Sequence, residues 1–227
     1  HRDLHLSLRR QRQMCIRDRP GIDHVLTSDQ IFSLSTLPQN LLIVGGGYIA
    51  CEFASIFTGF GTKVTQFCRG ETILRGFDSE ATTLVANQMK SNGVDLQHDV
   101  NVVKITKQEN SFRVADNYDR VQDFDQILFA TGRVPNSYGL QHDSAGLSVG
   151  DNGEIIVNKY SKSSIDSIYA IGDLTNRKQL TPIAIKEAMA FVQTAFFDNP
   201  SCLDYSSIPT AIFTKPEMGT VGLSEEV

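Results

Sequence analysis

Twelve residues constrain this chain more than any others: Leu41-Leu42-Ile43-Val44-Gly45-Gly46-Gly47-Tyr48-Ile49-Ala50-Cys51-Glu52. Four branched apolar residues predict a buried strand, three glycines a tight turn, and Ile49 onward a helix. Strand, turn and helix in that order are the setting of a dinucleotide fingerprint, G-x-G-x-x-A, carried by Gly45, Gly47 and Ala50. Gly45 takes a backbone shape closed to other residues, and Gly47 leaves room for a pyrophosphate to touch the main chain. Ala50 lets helix and strand pack closely, while the unpaired N–H groups of the first helical turn face the phosphates. A single fingerprint is a weak signal, so its meaning rests on the residues downstream of it.

The bulk properties exclude several classes. A chain of 227 residues holds one large domain or two modest ones, and its net charge of −5 argues against a general nucleic-acid partner. No apolar run approaches the ~20 residues that cross a bilayer as a helix, so no membrane span is expected. Cys15, Cys51, Cys68 and Cys202 show neither CxxC nor CxxxxC spacing. They read as ordinary thiols in a reducing compartment, and Cys51 as a small core residue. The histidines His1, His5, His24, His98 and His142 are scattered through polar stretches, and no metal site is expected.

Residues 1–19 carry Arg2, Arg9, Arg10, Arg12, Arg17 and Arg19 with little periodicity. A basic arm or an Arg-rich targeting segment would look like this; we read a non-native or disordered leader and start the globular sequence near Pro20-Gly21. The helix after the glycines places Ile49, Phe53, Ile56, Phe57 and Phe60 on one stripe, stopped by Gly59 and Gly61. Lys63–Cys68 is the second strand of a β-α-β unit. Asp78 caps a helix to about Asn92, with Leu84, Val85 and Met89 as its apolar side and Gly93 beyond its end. Val94–Gln97 is a strand. Val102–Ile105, Ser111–Val114 and Arg120–Val121 suit an antiparallel meander, and Ile127–Ala130 returns to a buried strand. The expected fold is therefore α/β, a three-layer Rossmann-like domain over 20–135 with a meander as crossover. From Asn136 the texture turns loop-rich, which sets a domain boundary. Glu154–Val157 and Ile168–Ile171 read as strands. Thr181 caps, and Pro182 opens, a helix with the stripe Ile185, Ala188, Met189, Val192 and Phe196. Short strands after residue 207 begin a further segment.

The end of the second strand is chemically informative. A site for NAD offers an acid about 20 residues past the glycines for the ribose 2′-hydroxyl. Here the strand ends Gln66-Phe67-Cys68-Arg69, and Arg69 and Arg75 come next without a carboxylate at that place. Guanidinium forks suit a 2′-phosphate dianion, which points to NADPH. The plain alternative is a pair of solvated surface arginines, and Glu71 lies between them. Ile168–Asp173 is an apolar run ending Gly172-Asp173, a carboxylate where α/β sheets hold ligands. Leu180-Thr181-Pro182 opens a helix whose amino end favours negative charge, or is simply a helix start.

Taken together and in order, Gly45–Ala50 with Glu52-Phe53-Ala54, Leu74–Asp78, Ala130-Thr131-Gly132-Arg133-Val134-Pro135-Asn136, Ile168–Asp173 and Leu180-Thr181-Pro182 resemble the class I FAD- and NAD(P)-dependent disulfide reductases, most closely the glutathione-reductase type. The resemblance covers about Pro20 to Val227. It implies that Gly45, Gly47, Ile49 and Ala50 hold the NADPH pyrophosphate and Arg69 and Arg75 the 2′-phosphate. Tyr48 would cover the flavin until nicotinamide displaces it, and Glu52 would pair with a lysine beside the flavin. Otherwise these two are a packing aromatic and a helix-surface carboxylate. Ala130, Thr131, Gly132 and Arg133 would lie near the cofactors, Gly172 and Asp173 at the FAD ribityl–pyrophosphate, and Leu180 and Thr181 at the flavin's pyrimidine edge.

The same resemblance makes 20–135 an NADPH-binding domain, 136–206 the C-terminal part of an FAD-binding domain and 207–227 the start of an interface domain. The family's redox CxxxxC pair, first FAD fingerprint and His–Glu pair are not in these 227 residues, so an internal fragment, inactive alone, is expected. The implied cofactors are FAD and NADPH and the implied substrate glutathione disulfide. A homodimer in the cytoplasm is implied for the full-length protein, with an organelle left open. A thioredoxin, mercuric or transhydrogenase-type reductase, or a non-catalytic NADPH-binding module, stays open as an alternative.

Overall fold

Strand β1 (Asn40–Val44) runs through the middle of a four-stranded parallel sheet. β2 (Lys63–Cys68) and β3 (Asp95–His98) lie on one side of it and β7 (Gln126–Phe129) on the other, giving the order β3-β2-β1-β7. The structure, a computed structural model, describes residues 19–225; the leader up to residue 18, with Cys15, lies outside them. The described chain divides into two compact units, 19–132 with 207–225, and 133–206.

Side chains alternate across a strand, so Leu41 and Ile43 face one side of the sheet and Leu42 and Val44 the other. All four are buried, each contributing roughly 1.5–3 kcal/mol. Leu41 and Ile43 meet Ala50, Ala54 and Phe57 of α1 (Tyr48–Gly59) and Val85 and Met89 of α2 (Ser79–Ser91). Leu42 and Val44 meet Val102, Ile105, Val114 and Phe124. Those belong to an antiparallel meander of β4 (Val102–Lys107), β5 (Phe112–Asp116) and β6 (Val121–Phe124). Helices, sheet and meander are the three layers of the expected Rossmann-like α/β fold. Burial on both faces is why β1 reads as a continuous apolar run.

The helix faces differ from expectation. On α1 the buried side chains are Ala50, Cys51, Ala54 and Phe57, while Ile56 and Phe60 are exposed. Distance decides this: a Cβ added to Gly45 would stand 3.3 Å from the Ala50 Cβ, so only small residues fit where the helix starts. On α2, Asp78 caps as expected, its Oδ1 accepting the Ala81 N–H at 3.0 Å. Val85 and Met89 are buried there, but Thr82 fills the place expected of Leu84, which is exposed. Residues 207–225 form a hairpin of β8 (Thr210–Ile212) and β9 (Met218–Thr220), whose Ile212 and Met218 join the helix-side core.

In the second unit the segments Glu154–Val157 and Ile168–Ile171 are not strands. They make only the single bridges Val149–Ile155 and Lys162–Tyr169. Their backbone donors bond one at a time to separate stretches, Ile155 N–H to Leu174 O, Ile156 N–H to Ser148 O, Ile168 N–H to Ile165 O and Ala170 N–H to Ser161 O, so no ladder propagates. The unit contains a short helix α3 (His142–Ala145), a 3₁₀ turn at Gly172–Thr175 and the long helix α4 (Thr181–Phe196). Leu180, not Thr181, occupies the cap position of α4, with Pro182 in the first turn. The face of α4 turned inward carries Ile183 and Glu187, four residues apart. Ile185, Met189, Val192 and Phe196 of the expected stripe are exposed. The buried Glu187 carboxylate, with partners of its own, sets the rotation of this helix.

Candidate functional site

The strand order places the glycine turn. From β1 the chain moves outward to β2 and β3, then returns on the other side as β7. The loops after β1 and β7 therefore leave a crevice at the carboxyl ends of the strands, where open α/β sheets bind ligands. Gly45 lies at φ 144°, and a Cβ there would come 2.3 Å from the Ala130 carbonyl oxygen. Ala130 is fixed in turn by donating its N–H to Val44 O at 2.8 Å. Gly132, next in the Ala-Thr-Gly turn with Thr131, lies at φ 129°. Gly45 and the Ala130–Gly132 turn are thus brought together.

Gly46 is pinned from the opposite side, its carbonyl accepting the Leu74 N–H at 2.6 Å. Gly47 differs from both. It is the cap residue of α1, makes no side-chain cap bond, and has open space where a Cβ would stand. A floor without side chains below an uncapped helix start is a cradle for a phosphate. Tyr48, the first helical residue, packs half-buried against the helix-side core, with Ile49 next in the turn. Glu52, one turn on, accepts the Phe213 N–H at 2.9 Å, which ties the β8–β9 hairpin to α1.

Arg69 and Arg75 are exposed at the carboxyl end of β2, on the loop that Leu74 anchors to Gly46. Among the described residues neither makes an ion pair. Both act on the Cys68 thiol: burial raises its pKa, and the Arg75 and Arg69 guanidinium groups pull it down. Both charges therefore stand beside the same end of β2 as the glycine turn. Sequence reasoning missed Gln66, fully buried in β2, whose Nε2 donates to Gly45 O at 2.9 Å and to Cys51 Sγ at 3.5 Å. Nothing local marks it, because its partners are 15 and 21 residues away.

In the second unit Asp173 sits in the first turn of the 3₁₀ segment, and Arg133 Nη2 stands 3.6 Å from its Oδ2. Both side chains are about half exposed, so the pair contributes little to stability and both groups stay available to a ligand. Gly172 has φ 67°. Leu180 accepts from Ile183 and Ala184, and the amino end of α4 carries no side-chain cap at Thr181. Arg133, Gly172 and Asp173 are thus grouped in this unit.

A family model for pyridine nucleotide-disulphide oxidoreductases matches residues 15–188. The chain belongs to that family. It is 41% identical over 205 residues to a glutathione reductase of Burkholderia cepacia, covering 90% of this chain and 46% of that protein. It is 44% identical over 212 residues to a trypanothione reductase of Leishmania donovani, covering 91% and 43%. In three dimensions it is similar to the HOCl-induced flavoprotein disulfide reductase RclA from Escherichia coli, with TM-score 0.88 and 30% identity over 95% of this chain and 50% of that one. The chain thus spans half the length of these relatives or less. Glutathione reductases of the family use FAD and NADPH.

The residues present fit the nucleotide. The open space above Gly47, the uncapped start of α1 and two arginines without ion-pair partners among the described residues match a pyrophosphate and a further phosphate. For FAD, the half-exposed Asp173 and the uncapped start of α4 suit hydroxyl and anionic groups. Among the described residues no group of three or more His, Cys, Asp or Glu is placed to hold a metal ion. No helix among them is long and apolar enough to cross a membrane.

The thiols are graded by burial. Cys51 is fully buried, and burial pushes its pKa up to about 12, against the hydrogen bond from Gln66. It is a core residue, as expected, and no nucleophile at neutral pH. Cys202 is exposed. Alkylation of the native protein at about pH 8, read by peptide mapping, is expected to label Cys202 and spare Cys51 and Cys68. Labelling of Cys51 at the same rate as Cys202 would show that the core beside Gln66 is open.

Proposed function

We propose that this chain carries the NADPH-binding part, and the later portion of the FAD-binding part, of a flavoprotein disulfide reductase whose substrate is glutathione disulfide. The observation that carries the reading is the cradle at Gly47 with Arg69 and Arg75 at the neighbouring strand end. Bound NADPH and FAD supply hydride and two-electron chemistry, and the protein supplies position and charge. Gly45, Gly47, Ile49 and Ala50 seat the pyrophosphate. Arg69 and Arg75 hold the 2′-phosphate. Tyr48 covers the flavin face until nicotinamide arrives, and Glu52, one helical turn on, supplies a carboxylate beside it. Ala130, Thr131 and Gly132 close the crevice beside Gly45. Arg133, Gly172, Asp173, Leu180 and Thr181 serve the FAD ribityl and phosphate groups and the flavin edge.

On this reading residues 20–135 serve NADPH, 136–206 serve FAD, and 207–227 begin an interface in a homodimer. The free thiols of Cys51, Cys68 and Cys202 suit a reducing compartment, which we take to be the cytoplasm. The likeness to a trypanothione reductase favours a second reading, in which the substrate is trypanothione disulfide.

The test is the full-length protein. It is expected to show a flavin spectrum that bleaches with NADPH and to oxidise NADPH when glutathione disulfide is added. Bleaching without turnover on that substrate, but with turnover on trypanothione disulfide, would select the second reading; a protein that binds NADPH with no flavin band would overturn both. The purified 227 residues alone are expected to show no NADPH-dependent disulfide reduction, because the chain contains no CxxxxC pair. Turnover by this chain would refute that.

A further inference from the structure

Glu187 lies on the inward face of α4 with 2% of its surface exposed. An isolated buried carboxylate is costly, so its partners define its purpose. Oε2 accepts the backbone N–H of Gly172 at 2.5 Å. Oε1 accepts the Tyr205 hydroxyl and stands 3.2 Å from Arg177 Nη2. Arg177 continues the chain of contacts. Its Nε donates to Thr175 Oγ1 at 3.2 Å, and Thr175 Oγ1 donates to Gly172 O at 2.9 Å. Arg177 Nη2 also reaches Ser161 Oγ at 2.9 Å, and its guanidinium covers the Tyr205 ring at 5.1 Å.

These contacts close a ring: Gly172 N–H, Glu187, Arg177, Thr175, Gly172 C=O. Both polar groups of one residue are held, and that residue, at φ 67°, directly precedes Asp173. Among the described residues the Asp173 carboxylate has only the half-exposed contact to Arg133 at 3.6 Å, too loose to aim it. Its direction therefore comes from the backbone beneath it.

We propose that Glu187 is a positioning residue for the flavin nucleotide, acting through the Gly172 turn to aim the Asp173 carboxylate at a ribityl or ribose hydroxyl. This rests on the reading that Asp173 binds FAD. Glu187 touches no cofactor in this role, so removing it acts only while Asp173 is present.

FAD dissociation constants of the reconstituted full-length protein test it, with Glu187→Gln, Thr175→Val and Asp173→Ala made singly and Glu187→Gln and Thr175→Val each combined with Asp173→Ala. Glu187→Gln is expected to weaken FAD binding about tenfold and Thr175→Val several-fold, each with little further loss in the Asp173→Ala background. NADPH affinity stays unchanged throughout. Equal losses with and without Asp173 would mean that the ring is structural, and would overturn the proposal. So would unchanged FAD affinity in both single variants while Asp173→Ala weakens it. Unchanged affinity in Asp173→Ala itself would instead bring down the flavin role of Asp173, and this inference with it. Should Glu187→Gln fail to fold, Thr175→Val and its combination with Asp173→Ala decide the matter alone.

Discussion

Replacing Gly45 by alanine is expected to cost the protein about 3 kcal/mol and its NADPH binding together, whereas Gly47→Ala costs binding alone. Two separate penalties meet at Gly45. Its φ of 144° lies where L side chains are strained, and the new Cβ would come 2.3 Å from the Ala130 carbonyl oxygen. That oxygen is backbone, and Ala130 is bonded to Val44, so the obstacle has little freedom to retreat. The turn must shift, and the start of α1 shifts with it. Thermal unfolding should fall by roughly 6–12 °C. At Gly47 the backbone is ordinary, with φ −82°, and among the described residues nothing beyond its chain neighbours lies within 4 Å of an added Cβ. Stability should change by no more than about 0.5 kcal/mol. The methyl group would nevertheless occupy the space assigned to the pyrophosphate and weaken NADPH about tenfold or more, the effect of losing a hydrogen bond to a charged group. Calorimetry and nucleotide titration of the two variants separate the effects. Unchanged NADPH affinity in Gly47→Ala would remove the cradle from the site.

What was legible in the sequence was local. The strand–turn–helix at Leu41–Glu52, the bounds of β2 and the Asp78 cap of α2 depend on neighbours within a few positions, so residue types suffice to read them. The helix faces were not legible. α1 presents apolar residues nearly all round, and the choice of Ala50 and Ala54 over Ile56 and Phe60 was made by how closely Gly45 lets it approach the sheet. α4 was set by Glu187, whose partners Gly172, Arg177 and Tyr205 are 10 to 18 residues away. An apolar stripe carries no sign of a buried carboxylate beside it. The apolar runs at residues 154–157 and 168–171 misled for another reason: their backbone donors bond to scattered partners, Ile155 to Leu174, Ile156 to Ser148 and Ala170 to Ser161, so no single strand lies alongside them. At the proposed nucleotide site, Arg69 and Arg75 could be put forward because the acid expected of an NAD site is missing, while the buried amide of Gln66 that braces Gly45 left no trace.

Removing both arginines is expected to change which nucleotide the protein prefers. Arg69 and Arg75 are exposed, make no ion pair among the described residues, and stand beside Cys68 at the end of β2. Anchoring of Leu74 to Gly46 keeps their loop against the glycine turn, and on the proposed reading a nucleotide seated there extends its ribose toward them. The 2′-phosphate is what distinguishes NADPH from NADH, and a guanidinium meets such a dianion with paired, charge-assisted bonds. Each contact contributes about 1.5–3 kcal/mol, so Arg69→Ala with Arg75→Ala should weaken NADPH about a hundredfold or more. NADH has no group at that position and should keep its affinity within about twofold, the change expected of a surface substitution. Lysine at both positions should recover only part of the loss, because an ammonium keeps the charge but not the fork. Added salt should narrow the gap between the two nucleotides in the parent protein and barely affect it in the double variant. Titration of both nucleotides at two ionic strengths reads all of this. Equal losses for NADPH and NADH would mean that the arginines support the turn and not the phosphate, and no loss for either would return them to the solvated surface.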